Sequence, residues 1–245
     1  MNTAMITGAN KSIGLETARQ LLQQGYYVYL GSRSLENGQQ AVDRLKSEGL
    51  NHVEAIQIDV SDSDSVNAAR AELGKKIESL DVLINNAGIS GGRPQSALEA
   101  SIEQYRMVFE TNVFGVVRVT QAFIDLLRKA PEPRIVNVSS SQGSLTLAAD
   151  PENQYYHHKG AVYQPSKSAL NMYTIALAYE LRDTPIKINA VDPGFVATDF
   201  NNHRGTGTVQ EAGARIARYA LIGADGPTGQ FFSEEYNPET GAVPW

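Results

Sequence analysis

The chain has no cysteine, which removes disulfides, thiol nucleophiles and cysteine metal sites from consideration. It has no basic excess either. Lys and Arg number 21 against 27 Asp and Glu, a formal net charge of −6 at pH 7, whereas a nucleic-acid partner needs a basic face. No apolar run approaches the length of a membrane span. The opening MNTAMITGAN enters a strand-like segment at once, so no signal peptide is expected. These absences lead to the expectation of a soluble cytoplasmic protein with no nucleic-acid or membrane partner. Low-complexity linkers and solenoid-period repeats are missing too. With 42% hydrophobic and 20% charged residues, positions 1–245 are expected to form one globular domain.

What is present is an alternation of short apolar runs with longer helical patterns. Strands are expected at 4–7, 27–30, 53–58, 82–85, 134–138, 187–191 and 229–232. Helices are expected near 13–24, 36–48, 64–78, 102–129, 162–182 and 209–221. This order predicts an α/β chain, a doubly wound Rossmann fold whose seven-stranded parallel sheet carries helices on both faces. Ligands of such sheets bind beyond the carboxyl ends of the strands. The loop segments 88–97, 144–162 and 193–208 each follow an expected strand and are candidate walls of one site. The nucleotide-binding half is expected over about 1–90, and the catalytic and substrate loops over about 90–245.

Tyr163 and Lys167 stand four residues apart at the head of a helical pattern carried by Leu170, Tyr173, Leu177 and Leu181. On a helix they share a face. An ammonium beside a phenol favours phenolate and lowers the tyrosine pKa, which suits it to general acid–base work on an oxygen. Tyr155 and Lys159 repeat the spacing, but His157 and His158 follow in a polar stretch without helical pattern. The histidine pair lacks a third ligand at metal spacing, and no metal site is expected.

Met5–Gly14 reads MITGANKSIG, between the first strand and the first helix. Gly8 and Gly14 allow a tight turn and close approach to a ligand. The helix N-terminus beyond them offers N–H groups to a phosphate. Thr7-Gly8 with Gly14 resembles the nucleotide loop of the short-chain dehydrogenases/reductases, with Ser12 where that family usually has a middle glycine. The resemblance extends through Asn85-Asn86-Ala87-Gly88, Asn112 in TNVFG, Ser139-Ser140, Tyr163 with Lys167, and Pro193-Gly194 with Thr198. It covers nearly the whole chain.

The resemblance implies a nicotinamide-dependent oxidoreductase. Tyr163 would protonate a carbonyl oxygen, or deprotonate an alcohol in reverse. Lys167 would lower the phenol and hold the nicotinamide ribose, Ser140 would bond the substrate oxygen, and Asn112 would support a water-linked proton path. Strand alternation and the family register both favour Ser140 over Ser139 and Ser141. Gly8, Asn10, Lys11, Ser12, Ile13 and Gly14 enter the cofactor set from the glycine loop. Asn86, Ala87 and Gly88 enter it from the Asn-Asn-Ala-Gly motif. Pro193, Gly194, Val196 and Thr198 enter from the loop after the sixth strand, and Tyr163 and Lys167 serve both sets. Asp59, with Val60, matches the aspartate near the adenine amino group. The second strand ends in Ser32 and Arg33, with no acid to hold a ribose 2′-OH. Arginine there suits a 2′-phosphate, and Lys11 would add a second cation. NADP(H) is expected over NAD(H).

Two departures remain. Twenty-two residues separate Ser140 from Tyr163, longer than the family's common spacing, and the chain ends GPTGQFFSEEYNPETGAVPW. Both resemble the carbonyl-reductase branch, which implies reduction of a small-molecule ketone, aldehyde or quinone. Arg93, Phe195, Phe200 and Trp245 are further pocket candidates. The rival readings are a 3-oxoacyl, sugar or steroid substrate for the same chemistry, and a non-catalytic NADP-binding sensor. The oligomeric state stays open among monomer, homodimer and homotetramer.

Overall fold

The computed structural model describes residues 1–245. Strands β1 (Thr3–Ile6), β2 (Tyr27–Ser32), β3 (Val53–Gln57), β4 (Val82–Asn85), β5 (Arg134–Val138), β6 (Lys187–Val191) and β7 (Gln230–Phe232) form one sheet. They pair in parallel in the order β3-β2-β1-β4-β5-β6-β7. The helices are α1 (Ser12–Gln23), α2 (Leu35–Ser47), α3 (Ser63–Gly74), α4 (Ile102–Phe109), α5 (Gly115–Leu127), α6 (Leu145–Ala149), α7 (Tyr163–Glu180) and α8 (Val209–Ala220). This is the expected doubly wound sheet. Its order reverses between β1 and β4, the switch point where such sheets open a crevice.

Successive strand residues serve opposite faces. Ala4 and Ile6 of β1 pack with Leu21 of α1, Val42 of α2 and Ile216 of α8. Met5, between them, joins Leu83 of β4 and Phe123 of α5 on the other face. Burial on both faces explains why these strands read as continuous apolar runs. Gly213 lets α8 approach α1, because a Cβ there would lie 2.5 Å from Glu16 Cγ.

One helix differs from expectation. The pattern over 102–129 predicts a single helix, but a π turn, Glu110–Phe114, separates α4 from α5. Its composition is ordinary for a helix, so periodicity alone passes through it. The wide turn carries Asn112, which is fully buried, and such turns recur at functional sites. The expected loop 144–162 also holds one short helix, α6.

Candidate active site

The loop after β1 is braced against the end of β4. Thr7 Oγ1 accepts the backbone N–H groups of Asn86 and Ala87, each at 3.0 Å. Asn86 Nδ2 donates back to the carbonyls of Thr7 at 2.9 Å and Gly8 at 3.0 Å. The Asn-Asn-Ala-Gly motif thus shapes the glycine loop. Gly8 has φ 62°, and a Cβ there would lie 3.0 Å from Ala87 Cα. At Gly14 a Cβ would meet Asn86 Nδ2 at 2.5 Å and Gly8 O at 2.7 Å. Ser12 adopts φ 55°, so serine takes the left-handed conformation that glycine takes freely.

These residues fit a dinucleotide phosphate. No side chain caps the start of α1, which leaves its first amides open to an anion. Asn10 in that loop and Ile13 in the first turn of α1 are half-buried. Lys11 does not reach out freely: its Nζ pairs with Asp199 at 2.8 Å, both ends well exposed. Arg33 is exposed at the end of β2. Asp59 accepts Ser61 N at 2.9 Å and Ser61 Oγ at 2.6 Å. Burial pushes its carboxyl up, but Ser61 and the charges of Arg33 and Arg118 outweigh burial and hold it below the usual range. The Val60 side chain belongs to the core, leaving its backbone for any cofactor contact.

On the other flank, Gly194 has φ 88°, and a Cβ there would lie 2.3 Å from Arg215 Nη1. That guanidinium donates to Pro193 O at 2.8 Å, and Gly194 N donates to Asp192 Oδ1 at 3.0 Å. Val196 and Thr198 are buried beyond them. Phe200, on the short turn Asp199–Asn201, stands edge-on to the Tyr163 ring with centroids 5.5 Å apart.

Tyr163 opens α7, and its N–H donates to Gln95 Oε1 at 3.0 Å. Gln95 Nε2 holds the carbonyls of Ser90 at 2.6 Å and Gly92 at 2.8 Å. Gln95 therefore sets the helix start, and nothing in the sequence marks it beyond being polar in a polar loop. Asn112 clasps Ile89, accepting its N–H and donating to its carbonyl, both at 2.9 Å. It also donates to Ser166 Oγ at 3.1 Å, which donates to Tyr163 O at 2.6 Å.

The three serines after β5 part ways. Ser139 donates to Asn171 Oδ1 at 2.5 Å. Ser141 is buried at the start of the short turn Ser141–Gly143. Ser140 Oγ accepts the N–H of Gln142 at 3.3 Å, and of the three hydroxyls it is the one that acts to lower the Tyr163 phenol. The second Tyr–Lys pair is not a helical pair, because residues 151–162 form turns. Tyr155 bonds Glu235 at 2.8 Å, and Lys159 sits 4.4 Å over the Tyr156 ring.

Lys167 is 5% exposed. Its Nζ donates to Val138 O at 2.8 Å and lies 5.8 Å from the Tyr163 ring centroid. Gly88 leaves room beside it, since a Cβ there would lie 3.8 Å from Nζ. The expectation that Lys167 lowers the phenol needs correction. Burial pushes Tyr163 up, the Asp192 charge adds to this, and Ser140 opposes it. Burial likewise lowers Lys167 to about 8, against the pull of Asp192. Helical spacing puts the two groups on one face but says nothing of desolvation, which dominates here.

Gly143 closes the turn after Ser140, and a Cβ there would lie 2.7 Å from Lys167 Cβ. Gly143→Ala is expected to cost ~1–3 kcal/mol by overpacking, lowering the melting temperature by ~5 °C. A melting curve checks this; an unchanged midpoint contradicts the contact.

Of the further pocket candidates, Phe200 faces the Tyr163 ring, while Phe195 faces the ring of Tyr155. Trp245 stacks on Phe231 with centroids 5.6 Å apart, and Arg93 is exposed in the loop after β4.

Residues 2–208 match the family described as short chain dehydrogenase. A short-chain dehydrogenase of Penicillium roqueforti, anuI, is 38% identical over 226 residues, covering 90% of this chain and 88% of its own. The (+)-neomenthol dehydrogenase of Capsicum annuum is 32% identical, covering 94% of each chain. Among solved structures, salutaridine reductase of Papaver somniferum superposes with a TM-score of 0.83 at 29% identity, over 95% of this chain and 100% of that one. NADPH-bound carbonyl reductase from chicken fatty liver gives 0.83 at 27% identity, over 100% and 99%. No helix is long and apolar enough to cross a membrane.

Proposed function

This chain belongs to the short-chain dehydrogenase family of oxidoreductases, and from that premise we propose that it is an NADPH-dependent reductase of a ketone, aldehyde or quinone. The convergence of Ser140, Tyr163 and Lys167 beside the β1–β4 switch point carries this reading. A nicotinamide dinucleotide held here would supply the hydride. The α1 amides and Gly8 would receive its pyrophosphate, and Arg33 its 2′-phosphate. Relatives solved with NADPH or NADP support that choice.

Ser140 would donate to the substrate carbonyl oxygen and fix its position, a donor aimed at the atom where charge develops. Tyr163 would deliver the proton to that oxygen. Its raised pKa keeps the phenol protonated at neutral pH, the state that reduction consumes. Lys167 would stabilise the phenolate left behind, and Asn112, through Ser166, holds the start of α7 in place. The roles of Asp59 and Thr198 lie in cofactor seating.

A pH consequence follows from Lys167. Its ammonium is present below a pKa of about 8 and lost above it. Reduction, measured as kcat/KM for a ketone with NADPH, is therefore expected to fall as pH rises through about 8. A rate flat up to about pH 10, the ordinary lysine range, contradicts the role given to Lys167. Parallel assays of ketones, aldehydes and quinones with NADPH and NADH test the reading as a whole.

A further inference from the structure

The two stretches that depart from the family pattern, the insertion before Tyr163 and the chain after β7, meet in the structure. Tyr155 OH donates to Glu235 Oε1 at 2.8 Å. Tyr236 OH donates to Asn153 Oδ1 at 3.0 Å, and Thr146 Oγ1 donates to Trp245 O at 2.9 Å. The second oxygen of Glu235 accepts the N–H of Phe195 at 3.1 Å. One carboxylate thus ties the insertion to the loop that follows Pro193-Gly194. The Tyr155 ring stands edge-on to Phe195, centroids 6.2 Å apart.

These polar anchors matter because the insertion has little else to hold it. Its helix α6 has no buried residue, so apolar burial does not offset the entropy of ordering the segment. Glu235 has two acceptor oxygens and each has one donor. The Tyr155 phenol, pushed up by burial and by Glu235, stays a donor through the working pH range. Phe195 and Phe200 share one loop, and Phe200 already faces the Tyr163 ring.

We infer that Glu235 is a positioning residue for substrate selection: it holds Tyr155 against Phe195 as one aromatic wall of the pocket, which favours carbonyls borne on an apolar ring system. This rests on the reductase reading above. With the wall intact, a flat apolar ring gains edge and face contacts that a short linear ketone cannot make.

The test compares a bicyclic ketone with a short linear ketone, using NADPH and the full-length wild type, Tyr155→Phe, Glu235→Gln and Glu235→Ala. Tyr155→Phe is expected to raise KM for the bicyclic ketone ~10-fold, the loss that goes with one hydrogen bond to a charged group. Its kcat, and both constants for the linear ketone, should stay within about twofold of wild type, below what one neutral hydrogen bond is worth. Glu235→Ala should match it, with no further loss when Tyr155→Phe and Glu235→Ala are combined in one chain. Glu235→Gln should fall between, because its carbonyl accepts from Phe195 and its amide donates to Tyr155. Equal effects on both ketones, or no effect on either, overturn the assignment. Amide hydrogen exchange on the unliganded protein gives a second readout. Tyr155→Phe should speed exchange at both the insertion and the Phe195 amide, and acceleration confined to the insertion overturns the coupling. If wild type reduces neither ketone, the reductase reading fails, and exchange alone decides whether Glu235 joins the two segments.

Discussion

Tyr163→Phe is expected to lower turnover by about a thousandfold, the middle to upper range for a lost general acid, while NADPH affinity stays within a few-fold. The substitution removes one hydroxyl and little else. The Tyr163 amide keeps its bond to Gln95, and the carbonyl keeps its bond from Ser166. The ring keeps its edge contact with Phe200. The glycine loop, Arg33 and the start of α1 are untouched. What disappears is the phenol proton that the proposed reduction delivers to the substrate oxygen. Steady-state rates with a reducible ketone, together with NADPH titration by fluorescence, separate the two effects. Loss of binding along with turnover points to a structural role. Retained turnover sinks the assignment, and so does loss of all turnover in Tyr155→Phe.

Arg33→Asp is expected to reverse the cofactor preference, with the ratio of kcat/KM for NADPH over NADH falling by about a hundredfold or more. Two contributions combine. A charge-assisted bond from a guanidinium to a phosphate is lost, worth about 1.5–3 kcal/mol. A carboxylate then stands where the 2′-phosphate would sit, which repels that group and offers an acceptor to a ribose 2′-OH. Arg33 forms no bridge to an acid, whereas Lys11 is already paired with Asp199. The arginine, rather than the lysine, therefore carries the expected discrimination, and Lys11→Ala should change the ratio far less. Kinetics with both cofactors across the two variants check this. An unchanged ratio in Arg33→Asp contradicts phosphate recognition at the end of β2.

Much of this was legible in the residues. The strands 82–85, 134–138 and 187–191 fall where the short apolar runs place them, and the asparagines within them are buried. The first strand ends at Ile6 instead of residue 7, since the chain turns away at Gly8, whose φ is 62°. The preference for Ser140 among three serines rests on alternation and on the family register together. The π turn at Asn112 was not legible, because its five residues suit an α-helix. Gln95 was not, because one loop glutamine looks like any other. The direction of the Tyr163 shift depends on desolvation, which residue spacing does not report. The contact between Tyr155 and Glu235 spans 80 residues, and no local pattern foretells it. Each miss involves a tertiary contact, while each success rests on local periodicity or on a motif.

The most direct test of the central claim is to follow deuterium from C4-labelled NADPH into product, over a panel of ketones and aldehydes with the wild-type protein. The account predicts that at least one carbonyl is reduced and that its new alcohol carries the deuterium on the carbinol carbon. Tight NADPH binding with no member of the panel reduced would contradict it, leaving a dinucleotide-binding protein whose Ser140, Tyr163 and Lys167 carry out no reduction.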